Sequence, residues 1–574
     1  MSTPKEIFLE LIKPDGQPER QLCQYEALQL CMNDPINTFL RGNRRRGSVS
    51  LDRWGTTISF PEDAPGAMPL HGEGITVCTD VTRWRETVHV PDIKANCGEG
   101  WAECREQAER LGKGEKLLTG FMGTGIFEQC HFLMGFEDTL TNLYEHPDEM
   151  HELIETITEY RIGYARQLID GLRPEAILSH DDWGTKNALF MKPEMWREFF
   201  KEPYRRFYGY IRSRGVIAIH HADSYLVPII DDMAEIGIQV WQGVLPENDI
   251  PALQRHLNGR MTLMGGFGAA IDRADALPQE ILDYAGETLR LCCPGGHFIP
   301  CITYGTPGTV YPQTDRFLNE AVDKYNAALH VPVTPLPEVP RRRAAAMPAE
   351  IRPAGEAAEE SADIMRRISA ALNRGNRKKL LELCRRAIDD GRTAEEILAQ
   401  GLVPGMTELG DAFSANRVFV PEMLMAARCM NAATELLKPL LTAAGGTPAG
   451  RVCLGTVRGD MHDIGKNLVK IMMEGSGIDV VDLGVDVPAE EFVDTAINKN
   501  CGIIACSALL TTTMQEMRRV VELLEERGLH DKIKVMVGGA PISESFCREI
   551  GADAYTRDAA EAAREAVRLL NNEK

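Results

Sequence analysis

The sequence predicts an α/β protein in three parts: an N-terminal (β/α)8 TIM barrel, a helical bundle, and a C-terminal doubly wound, Rossmann-like (flavodoxin-type) parallel sheet. Three observations predict it. Over residues 1–330, short apolar runs end in polar residues or glycines and alternate with helix-like segments. Over residues 331–360 a Pro/Ala-rich tract breaks all apolar periodicity. Beyond residue 446 strand-like and amphipathic segments alternate again. At 574 residues the chain is also too long for a single ordinary core.

In the barrel segment, Ala176-Ile177-Leu178-Ser179 ends at His180-Asp181-Asp182-Trp183-Gly184, and Val216-Ile217-Ala218-Ile219 ends at His220-His221-Ala222-Asp223. Gln239-Val240-Trp241 ends at Gly243, and Met261-Thr262-Leu263-Met264 ends at Gly265-Gly266. Barrel enzymes place their chemistry just after strands, which makes Asp182, His221 and Asp223 candidate catalytic residues. Glu128, in Gly125-Ile126-Phe127-Glu128, and Asp52, in Asp52-Arg53-Trp54-Gly55, are further pocket candidates. The Asp181/Asp182 pair also has the form of a helix cap. Arg44-Arg45-Arg46 could meet a substrate carboxylate or form a solvated loop.

The tract 331–360 opens with polyproline character and reads as an extended, semi-rigid linker. Residues 361–445 then read as a small bundle. Ile364, Ile368 and Leu372 share one helical face, as do Leu380, Leu383, Cys384 and Ile388. Thr393-Ala394-Glu395-Glu396 has the form of a capping box. A fourth helix starts near Pro421-Glu422, carries Met423, Leu424, Ala427 and Met430, and is expected to be interrupted at Pro439.

Composition excludes several classes. A formal charge of −21 argues against a polyanionic partner, and no nucleic-acid motif or basic stripe offsets it. No apolar run approaches the ~20 residues that span a bilayer, and the amino terminus lacks the pattern of a signal peptide. A cytoplasmic protein is expected, with no membrane and no nucleic acid among its partners. Fifteen cysteines without a Cys-x-x-Cys pair read as reduced, mostly core thiols.

Residues 446–574 carry the most specific signals. Asp460-Met461-His462-Asp463-Ile464-Gly465 lies between the apolar strand Val452–Val457 and an amphipathic helix. Ligands of open parallel sheets bind beyond the strand ends, and a carboxylate two residues before a histidine can fix the imidazole tautomer. Ser507-Ala508-Leu509 follows the strand-like Gly502–Cys506, and Gly538-Gly539 follows Val535–Val537. Through these three elements the segment resembles the cobalamin-binding domains of methionine synthase and of corrinoid methyl carriers. The resemblance implies His462 as the lower axial ligand of cobalt, oriented by Asp460 and linked toward Ser507. It assigns Ser507-Ala508-Leu509 and Gly538-Gly539 to the buried nucleotide tail, Ser507 near its base and these two glycines where a side chain would collide with it, and counts Gly465 of the Asp-x-His-x-x-Gly signature among the cofactor-binding residues. It also makes the bundle, with Phe419-Val420-Pro421-Glu422-Met423-Leu424, a cap over the upper face of the corrin that includes Met423.

About residues 25–330 resemble the uroporphyrinogen decarboxylase superfamily, through Asp181-Asp182-Trp183-Gly184-Thr185, Pro193-Glu194-Met195-Trp196 and Gly265-Gly266-Phe267. That superfamily holds decarboxylases and corrinoid-linked methyltransferases, and the attached corrinoid segment selects the second. Its thiol-directed members bind zinc through His-x-Cys and a distant cysteine. Here the first element is His221-Ala222-Asp223, while Cys301 supplies the late cysteine. A carboxylate in place of a thiolate makes zinc more electron-poor and suits it to polarising an oxygen. O-demethylases are similar in having His-x-Asp.

The expected function is therefore a cobalamin-dependent methyltransferase that moves a methyl group from a small donor, a methyl ether above all, to Co(I) of its own corrinoid segment. Zinc at His221, Asp223 and Cys301, or a proton from His221 or Asp223, would activate the ether oxygen. A halomethane donor, a thiol acceptor, or a role as corrinoid carrier or sensor are the alternatives. Expected partners are a methyl acceptor such as tetrahydrofolate or a thiol, reached through a second methyltransferase, and a reductive activator of the corrinoid.

Overall fold

A computed structural model describes residues 2–329 and 364–571, apart from 43, 62–66, 73, 113, 274, 305–310, 415–416, 445–449, 461–463, 509–512 and 540–541. The linker 331–360, His462 and Leu509 thus lie outside the described residues. Among the described residues no helix is long and apolar enough to cross a membrane.

The N-terminal part is a curled, all-parallel sheet of seven described strands: β1 (Leu28–Cys31), β2 (Leu117–Met122), β3 (Ala176–His180), β4 (Ile217–His221), β5 (Val240–Val244), β6 (Thr262–Phe267) and β7 (Phe298–Ile302), hydrogen-bonded in chain order. Where an eighth strand was expected, the segment before β1 bridges to β7. The Gln24 amide donates to Pro300 O at 2.8 Å, and the Gln21 side chain donates to Phe298 O at 2.6 Å. Side chains such as Leu178, Ile219, Val240, Met264 and Ile299 fill the interior, as the two-residue period of a strand requires. Between β1 and β2 the chain inserts a small antiparallel sheet of Ser48–Leu51, Thr57–Phe60 and Met68–Pro69.

Helices α1 (Ile126–Met134) and α2 (Phe136–Glu145) follow β2, and α3 (Pro147–Leu172) leads back to β3. Arg161 of α3 is buried and donates to Gly123 O, Thr124 O and Ser179 Oγ at 2.6–2.7 Å. It thereby pins the loop that delivers α1.

The bundle consists of α4 (Ile364–Asn373), α5 (Arg377–Asp389), a helical run from Ala394 that passes through a π turn at Leu398–Leu402 into α6 (Val403–Ser414), and α7 (Val420–Ala444). The capping box is formed: Glu396 N donates to Thr393 Oγ1 and Thr393 N to Glu396 Oε2, both at 3.1 Å. Helix α7 corrects one expectation, because it continues through Pro439 to Ala444. Proline forfeits one ladder bond, and the bonds on either side carry the helix past it.

The C-terminal sheet contains β8 (Arg451–Thr456), β9 (Asp479–Asp482), β10 (Ile503–Ser507), β11 (Lys534–Gly538) and β12 (Ala554–Thr556), all parallel in the order β9-β8-β10-β11-β12. This is the 2-1-3-4-5 order of the flavodoxin type, whose switch point lies between β8 and β10. Helices α8 (Ile464–Gly475) and α9 (Ala559–Leu570) pack together on one face. Bundle and barrel meet along α7 and α2. Glu422 accepts from Tyr144 Oη and from Lys192 Nζ, each at 2.6 Å, while Arg428 pairs with Asp138 and Glu145.

Candidate functional site

The barrel cluster follows from strand register. His180 of β3 lies level with His221 of β4, and His221 lies level with Gln242 of β5. Each histidine stands two residues beyond an interior residue, Leu178 or Ile219, so both imidazoles point inward at the carboxyl end of the barrel. Their rings stack with centroids 4.6 Å apart. The next two residues along each chain bring Asp182 and Asp223 to the same rim. His180, Asp182 and His221 present ligand-type atoms that all lie within 4.8 Å of one another.

Neighbours fix each member. His180 Nδ1 lies 3.0 Å from Glu128 Oε2 on α1. His221 Nδ1 hydrogen-bonds to Gln242 Oε1. Asp182 Oδ1 accepts from the Asp223 amide at 3.0 Å and from Ser224 Oγ at 3.4 Å. Asp181, adjacent in sequence, is spent elsewhere: it is fully buried and accepts from the Phe127 and Glu128 amides, both at 2.9 Å. It therefore caps α1 at its N-terminus. Gly125 permits this approach, since a Cβ there would stand 2.1 Å from the Asp181 carboxyl carbon.

The electrostatics divide the cluster. Burial opposes charge on His180, but Glu128, Asp182 and Asp223 raise it to about 10. His180 in turn holds the Glu128 carboxyl below its ordinary value against the effect of burial. His221 is pushed down to about 3 by burial and by its charged neighbour His180. Asp182 is raised to about 6, chiefly by burial, and Asp223 goes well above the carboxylate range through burial beside Asp182.

Of the sequence candidates, His221, Asp223, Asp182 and Glu128 come together, whereas Cys301 does not join them. The Gln242 amide stands between Cys301 and His221, with Oε1 on the imidazole and Nε2 3.9 Å from Cys301 Sγ. Cys301 is fully buried among barrel-core apolar residues, and burial drives its thiol well above the ordinary range. Asp52 is a turn residue: its Oδ1 accepts from the Trp54 and Thr56 amides, both at 2.9 Å. Arg44 is half-buried and feels the charge of Asp52, and Arg46 lies over the Phe60 ring. His180 was not singled out from the sequence. The signal was present, because the strand period that turns Leu178 inward also turns His180 inward.

In the C-terminal sheet, the buried Asp460 follows β8 at the switch point. Its Oδ2 accepts from Thr513 Oγ1 at 3.0 Å, so the hydroxyl on this carboxylate belongs to Thr513, while Ser507 sits half-buried at the end of β10. Sequence reading had linked the relay toward Ser507. Gly539 has φ +134°, and a Cβ there would lie 1.8 Å from Ala508 O, so protein backbone already forbids a side chain. Gly538 meets only ordinary contacts, and Gly465 faces open space at the start of α8. Met423 is buried in the bundle. An open cradle at Gly465, a side-chain-free edge at Gly539 and a buried carboxylate beside the His462 segment fit a bulky cofactor that is ligated by imidazole.

Comparison with known proteins separates the same two halves. Residues 48–325 match the family model for uroporphyrinogen decarboxylase (URO-D), while residues 364–438 and 450–568 match two B12 binding domain models. The dimethylamine corrinoid protein of Methanosarcina barkeri is 46% identical over 176 residues, which is 30% of this chain and 83% of that protein. Dimethylamine corrinoid protein 3 of Methanosarcina acetivorans is 39% identical over 210 residues, 36% of this chain and 97% of that protein. The structure of the methanol:cobalamin methyltransferase complex of M. barkeri shares 28% identity over 45% of this chain and 93% of that one, with a TM-score of 0.35. The chain thus belongs to the corrinoid-protein family and joins that cobalamin-binding module to a URO-D-type barrel.

Proposed function

We propose that the barrel demethylates a methyl ether, an aryl methyl ether in particular, and passes the methyl group to the corrinoid carried on the same chain. The observation that carries this reading is the donor set at the barrel rim. His180, Asp182, His221, Asp223 and Glu128 offer nitrogen and oxygen atoms, and Cys301 stands apart from them behind Gln242. Such a set suits an oxygen leaving group.

Reduced cobalamin supplies the nucleophile, and the protein supplies orientation and leaving-group activation. Asp223 is the group assigned to protonate the departing oxygen, held at the rim by the hydrogen bond that its backbone N–H donates to Asp182 Oδ1. Glu128 and Gln242 act as positioning residues for His180 and His221. One turn along α1 from Glu128, His131 lies against the rings of Phe132 and Phe136. In the carrier, His462 is the residue that would hold the cobalt, and Asp460, whose carboxylate accepts from Thr513, would orient its imidazole. Release of the methyl group to tetrahydrofolate or a thiol would require a second methyltransferase, and return to the reduced state a reductive activator.

The relatives named for dimethylamine match only the carrier half, whereas the barrel chooses the donor. The test is to incubate the reduced full chain with an aryl methyl ether, dimethylamine, a halomethane and a methylated thiol, and to follow alkylation of the corrinoid by its absorption. Alkylation by the ether is expected. Alkylation by dimethylamine or the halomethane with none by ethers would overturn the assignment.

A further inference from the structure

The barrel rim gathers Glu128, Asp182 and Asp223 around two stacked imidazoles, and His180, Asp182 and His221 present ligand-type atoms that lie within 4.8 Å of one another.

The hydrogen bonds show which atoms are committed. His180 Nδ1 faces Glu128 and donates to it, so the lone pair of that ring is at Nε2. His221 Nδ1 donates to Gln242, which leaves Nε2 as its lone-pair nitrogen. Asp182 commits Oδ1 to the Asp223 amide and Ser224, while its Oδ2 stands 3.9 Å from His180 Nε2. That separation is too long for a hydrogen bond. It is close to the roughly 3.3 Å that separates ligand atoms around a tetrahedral zinc with ~2.0 Å bonds.

Among the described residues these three ligand-type atoms converge within 4.8 Å, and each residue is oriented from behind by a carboxylate, an amide or a backbone N–H. Outer partners of this kind accompany metal ligands.

We propose that His180, Asp182 and His221 form an open zinc site, with Glu128 and Gln242 as outer positioning residues and with neither Asp223 nor Cys301 as a ligand. The set is two imidazoles and one carboxylate, the composition of catalytic zinc sites that keep a fourth position for an oxygen ligand. A cation at His180 Nε2 would occupy the ring position that the Nδ1 contact to Glu128 leaves over. Asp223 then remains the proton donor assigned above, so the inference deepens that reading and rests on it for the role of the metal alone.

The test uses the full chain purified without added donor, and reads metal content and zinc X-ray absorption rather than turnover. About one zinc per chain is expected, in a shell of nitrogen and oxygen at ~2.0–2.1 Å with no sulfur at ~2.3 Å. His180→Ala should lower zinc content at least tenfold, while Cys301→Ser should leave content and shell unchanged. A sulfur scatterer in the wild type, zinc loss in Cys301→Ser, or a folded wild type that binds no zinc on titration would each overturn the site. The wild-type spectrum decides even if a variant misfolds. A confirmed site together with failure of every ether donor would refute the substrate reading and leave the metal assignment standing.

Discussion

The carrier and the barrel each gather polar side chains around a carboxylate at the carboxyl end of a parallel sheet, but they assemble the set differently. In the carrier, Asp460 follows β8, two positions before His462 in the sequence, and Thr513 from a distant segment donates to its carboxylate. In the barrel, His180, His221 and Gln242 come from three strands and are level only because of register, while Glu128 arrives on a helix capped by Asp181. The carrier's unit is local and tolerates change around it. The barrel's unit is a network in which moving one strand displaces all of its members.

This contrast predicts where substitutions act. The largest effect is expected from Asp223→Asn, which keeps shape and removes the proton donor. Donor demethylation should fall ~10²–10⁴-fold with cobalamin content unchanged, as for loss of a general acid. Normal rates of corrinoid alkylation in that variant would remove Asp223 from the mechanism. Gly539→Ala comes next: the Ala508 carbonyl and the φ of +134° leave no place for a methyl group, and the cost should be about 2–4 kcal/mol of stability in the carrier. Calorimetry should show the carrier transition lowered and the barrel transition unmoved. A single transition that shifts as a whole would mean that the two halves unfold together.

Thr513→Val should cost the carrier about 10-fold in imidazole ligation, the lower end for loss of an outer partner of a metal ligand. The nitrogen splitting of the Co(II) resonance reports it, and Thr513→Ser should restore it. Equal splitting in all three proteins would mean that the Thr513 hydroxyl plays no part. The smallest effect belongs to the junction of the halves. Arg428, Asp138 and Glu145 are each about 40% exposed or more, so Arg428→Ala should weaken docking of α7 on α2 by less than ~1 kcal/mol, and less still at high salt. Affinity between separately expressed halves measures this. A larger loss would show that the junction depends on these pairs rather than on the Glu422 contacts to Tyr144 and Lys192.

The fold was legible wherever a local rule governs. Strand ends in the barrel, the Thr393 capping box and the alternation of the final sheet all follow from periodicity and cap chemistry within a few residues. Pro439 was misread because a long helix has enough neighbouring bonds to carry one missing donor. The carrier motif was legible because aspartate, histidine and glycine occur within six consecutive residues. Thr513 was missed because it reaches Asp460 across 53 positions.

By itself, the sequence determined the two parallel sheets, the bundle between them, the cobalamin-binding segment and the gathering of polar residues at the barrel rim, since each depends on spacing along one chain segment. Only the tertiary structure decided which rim residues meet. Register between separate strands set His180 beside His221, commitment of Asp181 to a helix cap left Asp182 for the site, and the Gln242 amide separated Cys301 from the histidines. Those choices are made by hydrogen bonds between segments far apart in the chain, which spacing within any one of them does not encode.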